Sequence, residues 1–216
     1  MTKQREEHLA TLQEIRSLME RSSRFLSLSG LSGVVAGSLA LVGAAVAFAY
    51  LGLWPFTAEG AYYPITAAPH PWGLSPLAFF ALDAALVLTG ALAGGIYFTT
   101  RRARRQGLPI WDALTRRLLL HLLIPLVAGG LFVAALYLQG VPALIAPATL
   151  IFYGLALINA SKYTLDDVRY LGMAEVALGL IGAFAPGYGL ELWAIGFGVL
   201  HILYGILMYR KHEREG

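Results

Sequence analysis

The sequence predicts an all-α, polytopic integral membrane protein with six transmembrane helices and cytoplasmic N- and C-termini. Two observations lead to this fold class. First, 57% of the 216 residues are hydrophobic and only 13% are charged, whereas a soluble domain carries roughly 25% charged residues. Second, long apolar runs alternate with short polar connections, and the cations fall only in every second connection. The lipid bilayer is therefore the expected main solvent and partner of this chain.

The distribution of cations sets the predicted orientation. All 16 Lys and Arg residues lie in the N-terminal arm, in 101–117, in 162–169 or in the C-terminal tail. The connections 52–75, 139–141 and 186–190 contain none. Loops rich in Lys and Arg stay on the cytoplasmic side of a membrane. An even number of crossings then places both termini in the cytoplasm, where the cations meet anionic lipid headgroups.

Composition also excludes several classes of function. The chain has no cysteine, which rules out disulfides, thiol catalysis and thiolate-bound metal clusters. The net charge of +3 does not indicate nucleic acid, because the cations adjoin apolar spans and no nucleic-acid motif is present. We predict no catalytic residues, since no nucleophile and base are paired at a membrane surface. An enzyme is therefore the less favoured reading, and a homo-oligomer stays open.

Three regions are expected along the chain. Residues 1–24 form a cytoplasmic amphipathic helix, residues 25–209 a six-helix transmembrane domain, and residues 210–216 a cytoplasmic tail. The first region either lies on the membrane surface, binds a partner, or is a solvated lead-in to the first span. The predicted spans cover 25–50, 76–99, 118–138, 142–160, 167–186 and 190–209.

Prolines and glycines predict how these helices break and pack. Pro109 is expected at the first position of the segment that leads to the third span, Pro125 is expected to kink that span, and Pro147 to interrupt the fourth. Small residues three or four positions apart let helices approach closely. On that basis we predict helix packing at Gly33, Gly37, Gly90, Gly94, Gly179, Gly182, Gly198 and Gly205.

Glu175 and His201 are the most informative polar residues within the spans. The turn between the last two helices centres near Tyr188, and each residue lies thirteen positions from it. Equal arms of an antiparallel hairpin place both at one depth, and each shares a helix face with glycines. We expect both to face the bundle interior and to hydrogen-bond one another. Two interpretations follow: the pair only fixes helix packing, or it relays protons or holds a cation or a substrate amine.

Three further polar residues complete a hypothetical ion or proton path. Asp83 lies in the outer half of the second span and is expected to face an outer vestibule that meets the Glu175–His201 pair. His121 lies near the cytoplasmic surface, and Asn159 lies at the inner end of the fourth span. His121 is either an interfacial histidine or, with His201, an axial ligand of haem. Whether a metal binds is not predicted, and Glu191 is expected to be solvated.

Two stretches carry a family resemblance. Residues 20–33 (ERSSRFLSLSGLSG) and 159–172 (NASKYTLDDVRYLG) resemble an uncharacterised family of small bacterial membrane proteins, met mainly in the Bacteroidota. The resemblance implies a multi-pass protein of the bacterial cytoplasmic (inner) membrane. It implies no activity.

The leading functional hypothesis is a small channel or transporter-like protein for an ion or small solute. The inward-facing ionisable groups and the predicted helix breaks favour it. The first alternative is a non-transporting membrane module that docks a cytoplasmic partner through residues 1–24 and the basic segment 101–117. The second alternative is a membrane haem or redox protein.

Overall fold

The computed structural model describes residues 29–56 and 71–212, and every secondary-structure element in these ranges is helical. The helices are α1 (Gly30–Leu51), α2 (Pro76–Arg105), α3 (Ala113–Leu138), α4 (Ile145–Ala160), α5 (Asp167–Phe184) and α6 (189–212). The predicted amphipathic helix at 1–24 lies outside the described residues, as does most of the predicted tail. The first three residues of that tail belong to α6, which continues to His212.

Five of the helical segments described here are long and apolar enough to cross a membrane. They are Gly30–Leu51, Pro76–Arg105, Ala113–Leu138, Pro142–Tyr163 and Gly189–Lys211. The exception among the six predicted spans is α5, whose 18 residues include Asp167, Arg169 and Glu175. Length and composition therefore support a helical, multi-pass membrane protein with five clear candidate spans.

The helices around the basic segment differ from the prediction in their bounds. α2 continues to Arg105, beyond the expected end at 99, and carries Arg102, Arg104 and Arg105 in its last turn. Cations there interact favourably with the negative end of the helix dipole. Pro109 does not begin a helix. α3 starts at Ala113, because Oδ1 of Asp112 accepts the N–H of Thr115 at 2.7 Å and caps the helix there. The same bond lowers the pKa of Asp112.

The prolines of the third and fourth predicted spans lie inside helices or at their first turns. α3 runs through Pro125 as one helix. The irregular part of the fourth span is a 3₁₀ turn at Pro142–Leu144, and Pro147 lies in the first turn of α4 that follows. A proline in a first turn costs little, since its missing N–H would have no partner inside the helix.

α6 is not a uniform α-helix. It consists of an α-helical turn at Gly189–Trp193, a π-helical segment at Ala194–Leu200 and an α-helix at His201–His212. π-helical turns are rare and occur frequently at functional sites. The sequence pattern did not reveal this one.

The helices pack in two groups that α6 joins. α1 lies between α2 and α6, and α4 lies between α3 and α5. The first turn of α6 contacts α4, and its π-helical segment contacts both α1 and α5. Consecutive hairpins were expected, and α1 with α2 and α3 with α4 do pair in this way. α5 instead packs most extensively against α4.

The glycines explain this arrangement. A Cβ atom added to Gly37 would lie 2.5 Å from the carbonyl oxygen of Gly198, and one added to Gly205 would lie 2.5 Å from that of Gly30. Gly33 meets the backbone of α6 in the same way. α1 and α6 therefore contact each other backbone to backbone, which a larger side chain would prevent.

A second glycine stripe joins α5 to α4. A Cβ added to Gly172 would lie 2.7 Å from the carbonyl oxygen of Gly154, and one added to Gly179 would lie 2.8 Å from that of Pro147. The glycine stripes of α5 and α6 consequently face different helices and not each other. The other predicted packing glycines also meet neighbours: Gly90 meets Leu39, Gly94 meets Val35, and Gly182 meets Leu192 and Pro147.

We expect Gly37→Ala to destabilise the bundle by about 1–3 kcal/mol, because the added methyl group overpacks a backbone contact. Gly130→Ala is the matched control, since a Cβ at Gly130 meets nothing within 4 Å. The midpoint of thermal unfolding in detergent measures both. Equal midpoints for the two variants would show that α1 and α6 do not pack as described.

Candidate functional site

The structure brings Glu175 of α5 and His201 of α6 together inside the bundle. Nδ1 of His201 lies 3.3 Å from Oε1 of Glu175. The exposed fraction is 0% for Glu175 and 6% for His201. The equal-arm prediction from the sequence thus matches the position of both side chains.

The hydrogen bonds of His201 go to other partners than the one expected. Nδ1 lies 3.0 Å from the carbonyl oxygen of Gly196, and Nε2 lies 2.8 Å from the hydroxyl of Tyr153 on α4. A carbonyl oxygen only accepts, so Nδ1 carries a hydrogen and donates it to Gly196. In a neutral imidazole, Nε2 then accepts the hydroxyl hydrogen of Tyr153. The ring is thereby satisfied at both nitrogens without Glu175.

Glu175 is left with no hydrogen-bond partner. Both carboxyl oxygens are buried and neither forms a hydrogen bond. Buried polar atoms are nearly always hydrogen-bonded, so such an exception calls for a physical explanation. An uncompensated carboxylate at this depth would be very unfavourable. A buried carboxyl of this kind needs a proton or another positive ligand.

Small and aromatic residues form the walls around the carboxyl group. A Cβ added to Gly196 would lie 2.5 Å from Oε2 of Glu175 and 2.5 Å from Cδ2 of Leu150. The ring of His201 packs against Tyr153 and Phe197, with centroid distances of 5.4 Å and 5.9 Å. The carboxyl group of Glu175 therefore occupies the space that a side chain at position 196 would fill.

The π-helical segment positions both Gly196 and His201. His201 directly follows the π-helical segment, and its backbone N–H donates to the Gly198 carbonyl, whereas its ring Nδ1 contacts the Gly196 carbonyl. The imidazole can then reach the Gly196 carbonyl while it remains beside Glu175. Sequence reasoning missed Gly196 and assigned no role to Tyr153. The Gly-Phe-Gly sequence at 196–198, next to a buried histidine, is the one local signal that could have indicated the site.

His121 and Asn159 form a separate cluster with Tyr163. Nδ2 of Asn159 donates to the backbone carbonyl of His121 at 2.9 Å, and Nε2 of His121 lies 3.0 Å from the hydroxyl of Tyr163. The rings of His121 and Tyr163 stack, with centroids 4.8 Å apart. These contacts join α3 to the C-terminal end of α4. They fit the interfacial interpretation of His121.

Asp83 is not part of the Glu175 site. It faces α1 at Gly43, where an added Cβ would lie 3.3 Å from each carboxyl oxygen of Asp83. α1 separates α2 from α6. Asp83 and the Glu175–His201 pair thus contact different helices, and the vestibule that would join them stays a prediction.

The haem alternative assigns His121 and His201 as axial ligands. In the structure both ring nitrogens of His201 have hydrogen-bond partners, and Nε2 of His121 contacts Tyr163. This alternative stays a prediction. In residues 29–56 and 71–212, no three His, Asp or Glu side chains cluster closely enough to hold a metal ion.

Two open grooves lie elsewhere. One groove, of about 700 Å³, lies between α1 and the start of α6, and Glu191 lines it. Glu191 was expected to be solvated, yet it is only 4% exposed, and its Oε1 accepts the N–H of Phe56 at 3.3 Å. The other groove, of about 380 Å³, is lined by Arg117, Lys162 and Tyr163, among others. Glu175 lines neither groove.

No protein-family model, curated protein sequence or solved structure matches the chain. The resemblance to a bacterial membrane-protein family stays a prediction. The function therefore has to be inferred from the geometry of the site.

Proposed function

We propose that this chain is a small transporter-like or channel-like membrane protein for an ion or small solute, in which Glu175 is the binding group. The observation that carries the proposal is the buried carboxyl group without a hydrogen-bond partner. A purely structural carboxyl would be expected to use its oxygens for packing contacts between helices. A carboxyl that exchanges a ligand must instead keep them free of permanent partners.

The proposal includes α5 as the sixth span. Its 18 residues extend about 27 Å at about 1.5 Å per residue, close to the thickness of a bilayer core. Asp167 and Arg169 lie in its first turn, which leaves Glu175 as the charge of its apolar part. Nζ of Lys211 lies 2.9 Å from Oδ1 of Asp167, so the cationic end of α6 lies beside the start of α5.

The proposed orientation of the helices in the membrane follows from the cations near their ends. The last turn of α2, the start of α3 and the groove of about 380 Å³ carry cations, and we propose that they face the cytoplasm of a bacterial cell. Arg117 and Lys162 line that groove. Basic grooves between spans at that face suit anionic lipid headgroups. We therefore retain these lipids as the expected partners.

Glu175→Gln is expected to reduce flux to the level of protein-free liposomes, because the amide keeps the shape of the carboxyl but binds neither a proton nor a cation. The measurement uses proteoliposomes loaded with dyes that report H⁺, Na⁺ or K⁺ under an imposed gradient. Gly130→Ala is the matched control, because Gly130 has open space beside it.

Two results would contradict the proposal. One is wild-type protein that moves no ion at any pH, and the other is a Glu175→Gln variant whose flux equals that of wild type. The alternative of a docking module rests on residues 1–24, which lie outside the described part of the chain, and it stays a prediction. The haem alternative through His121 and His201 likewise stays a prediction.

A further inference from the structure

Resting on the proposed function, we infer that the species bound by Glu175 is a proton, and not a metal cation or an amine. In this arrangement Glu175 is the uncharged acid. When Glu175 releases its proton, the Nδ1–H of His201 stops donating to the Gly196 carbonyl and donates to Glu175 instead. The inference starts from the space and the partners around the carboxyl group.

The space around the carboxyl group excludes a larger ligand. A single methyl group at Gly196 would already lie 2.5 Å from Oε2 of Glu175 and from a methyl carbon of Leu150. Glu175 is 0% exposed, and neither groove described above reaches it. A proton adds almost no volume, whereas an amine or a hydrated ion requires a cavity.

The chemistry of the neighbours also disfavours a metal cation. Na⁺-like and Ca²⁺-like ions are hard cations that take several oxygen ligands. Near the Glu175 carboxyl group the structure places Leu150, the backbone of Gly196 and Nδ1 of His201. The Gly196 carbonyl oxygen already accepts the Nδ1 hydrogen. None of these donates a free oxygen lone pair toward the carboxyl group. A proton requires no further ligand.

The Nδ1 hydrogen of His201 has two acceptors within reach. Nδ1 lies 3.0 Å from the Gly196 carbonyl and 3.3 Å from Oε1 of Glu175. While Glu175 holds its proton, the hydrogen goes to Gly196. When Glu175 loses its proton, the carboxylate becomes the stronger acceptor, because charge-assisted hydrogen bonds are stronger than neutral ones. No proton leaves His201 in this exchange, and the only species released is the proton of Glu175.

The ionisable groups that face this carboxyl group come from few elements. Tyr153 belongs to α4 and His201 to α6. α1 contains no Asp, Glu, Lys, Arg or His, and His121 of α3 is engaged with Tyr163. His201, with Tyr153 as the hydrogen-bond partner of its imidazole, is therefore the neighbour whose hydrogen bonds respond to the proton of Glu175.

Infrared spectroscopy of the purified protein in nanodiscs tests the inference. We expect a carbonyl stretching band of a protonated carboxylic acid at neutral pH, which shifts in D₂O and disappears in Glu175→Gln. Glu191→Gln is the matched control, because Glu191 is also a buried carboxyl but accepts a backbone N–H. The band should persist in that variant. It should also persist in wild type when Na⁺, K⁺ or methylammonium replaces N-methylglucamine at constant pH.

The inference is overturned if wild type lacks the acid band at neutral pH, or if one of these cations removes it at constant pH. The cation arm uses wild-type protein alone, so it holds even if Glu175→Gln does not fold. The spectra are recorded at equilibrium and do not depend on transport. A persistent acid band in a protein without flux would therefore support proton binding and contradict the transport proposal.

Discussion

Replacing Glu175 by methionine is expected to raise the free energy of unfolding by about 1–3 kcal/mol, which is the usual cost of a buried polar group without a partner. Methionine is unbranched and flexible enough to fill the space of the glutamate side chain. Both oxygens of Glu175 are buried and unpartnered, so their removal breaks no hydrogen bond. The hydrogen bond from His201 to the Gly196 carbonyl is retained.

His201→Leu is the informative counterpart, because it should have the opposite effect. It removes both hydrogen bonds of the imidazole and leaves the Gly196 carbonyl and the Tyr153 hydroxyl without their partner. Each such loss costs about 1–3 kcal/mol in a buried site. Equilibrium unfolding in mixed detergent micelles measures both variants under identical conditions.

The signs of the two effects separate the interpretations of the pair. If Glu175 and His201 only fix helix packing, both substitutions should destabilise the protein to a similar degree. If Glu175 is a ligand-binding group, Glu175→Met stabilises the fold and abolishes flux, the usual trade-off between stability and activity. A destabilised Glu175→Met variant would therefore count against a functional carboxyl group.

Much of the site's position could be predicted because depth in a hairpin depends only on residue counts. Glu175 and His201 lie at equal distances from the turn, and each lies on a face with glycines. Both consequences hold in the structure: the side chains lie 3.3 Å apart and are buried. The rise per residue of a regular α-helix is nearly constant, so equal counts from one turn place two residues at similar heights in antiparallel helices.

The partners of His201 could not be predicted, because they depend on a local change of helix type. A π-helical turn rotates the side chains that follow it, and no propensity or spacing in 194–200 indicates it. The helix against which α5 packs was not predicted, for a related reason. Glycine stripes predict that a helix packs closely but not against which helix, so the stripe of α5 was not assigned to α4.

Asp83 illustrates a further limit. Its apolar surroundings in the sequence predicted an inward-facing carboxyl, and it does face another helix, at Gly43. The sequence gives no information on the lateral order of helices, which decides whether two inward-facing groups meet. α2, which carries Asp83, packs against α1, whereas α5, which carries Glu175, packs most extensively against α4.

The second large effect concerns the two ends of α5, and it is expected to be close to all-or-none. The natural chain has no cysteine, so a single introduced cysteine reports its own position. Lys162 precedes α5 and Tyr188 follows it, and both side chains are exposed. If α5 crosses the bilayer, the two positions lie in different compartments, separated by the whole apolar layer.

Labelling of Tyr188→Cys and Lys162→Cys by a membrane-impermeant maleimide, in spheroplasts of a bacterial host, is the most direct test that Glu175 lies within a sixth span. Gln139→Cys and Gln106→Cys, at the ends of α3 and α2, are the matched outer and inner controls. We expect Tyr188→Cys to react in intact spheroplasts and Lys162→Cys to react only after permeabilisation. Reaction of both from the same side would show that α5 does not cross, and it would remove Glu175 from the membrane interior.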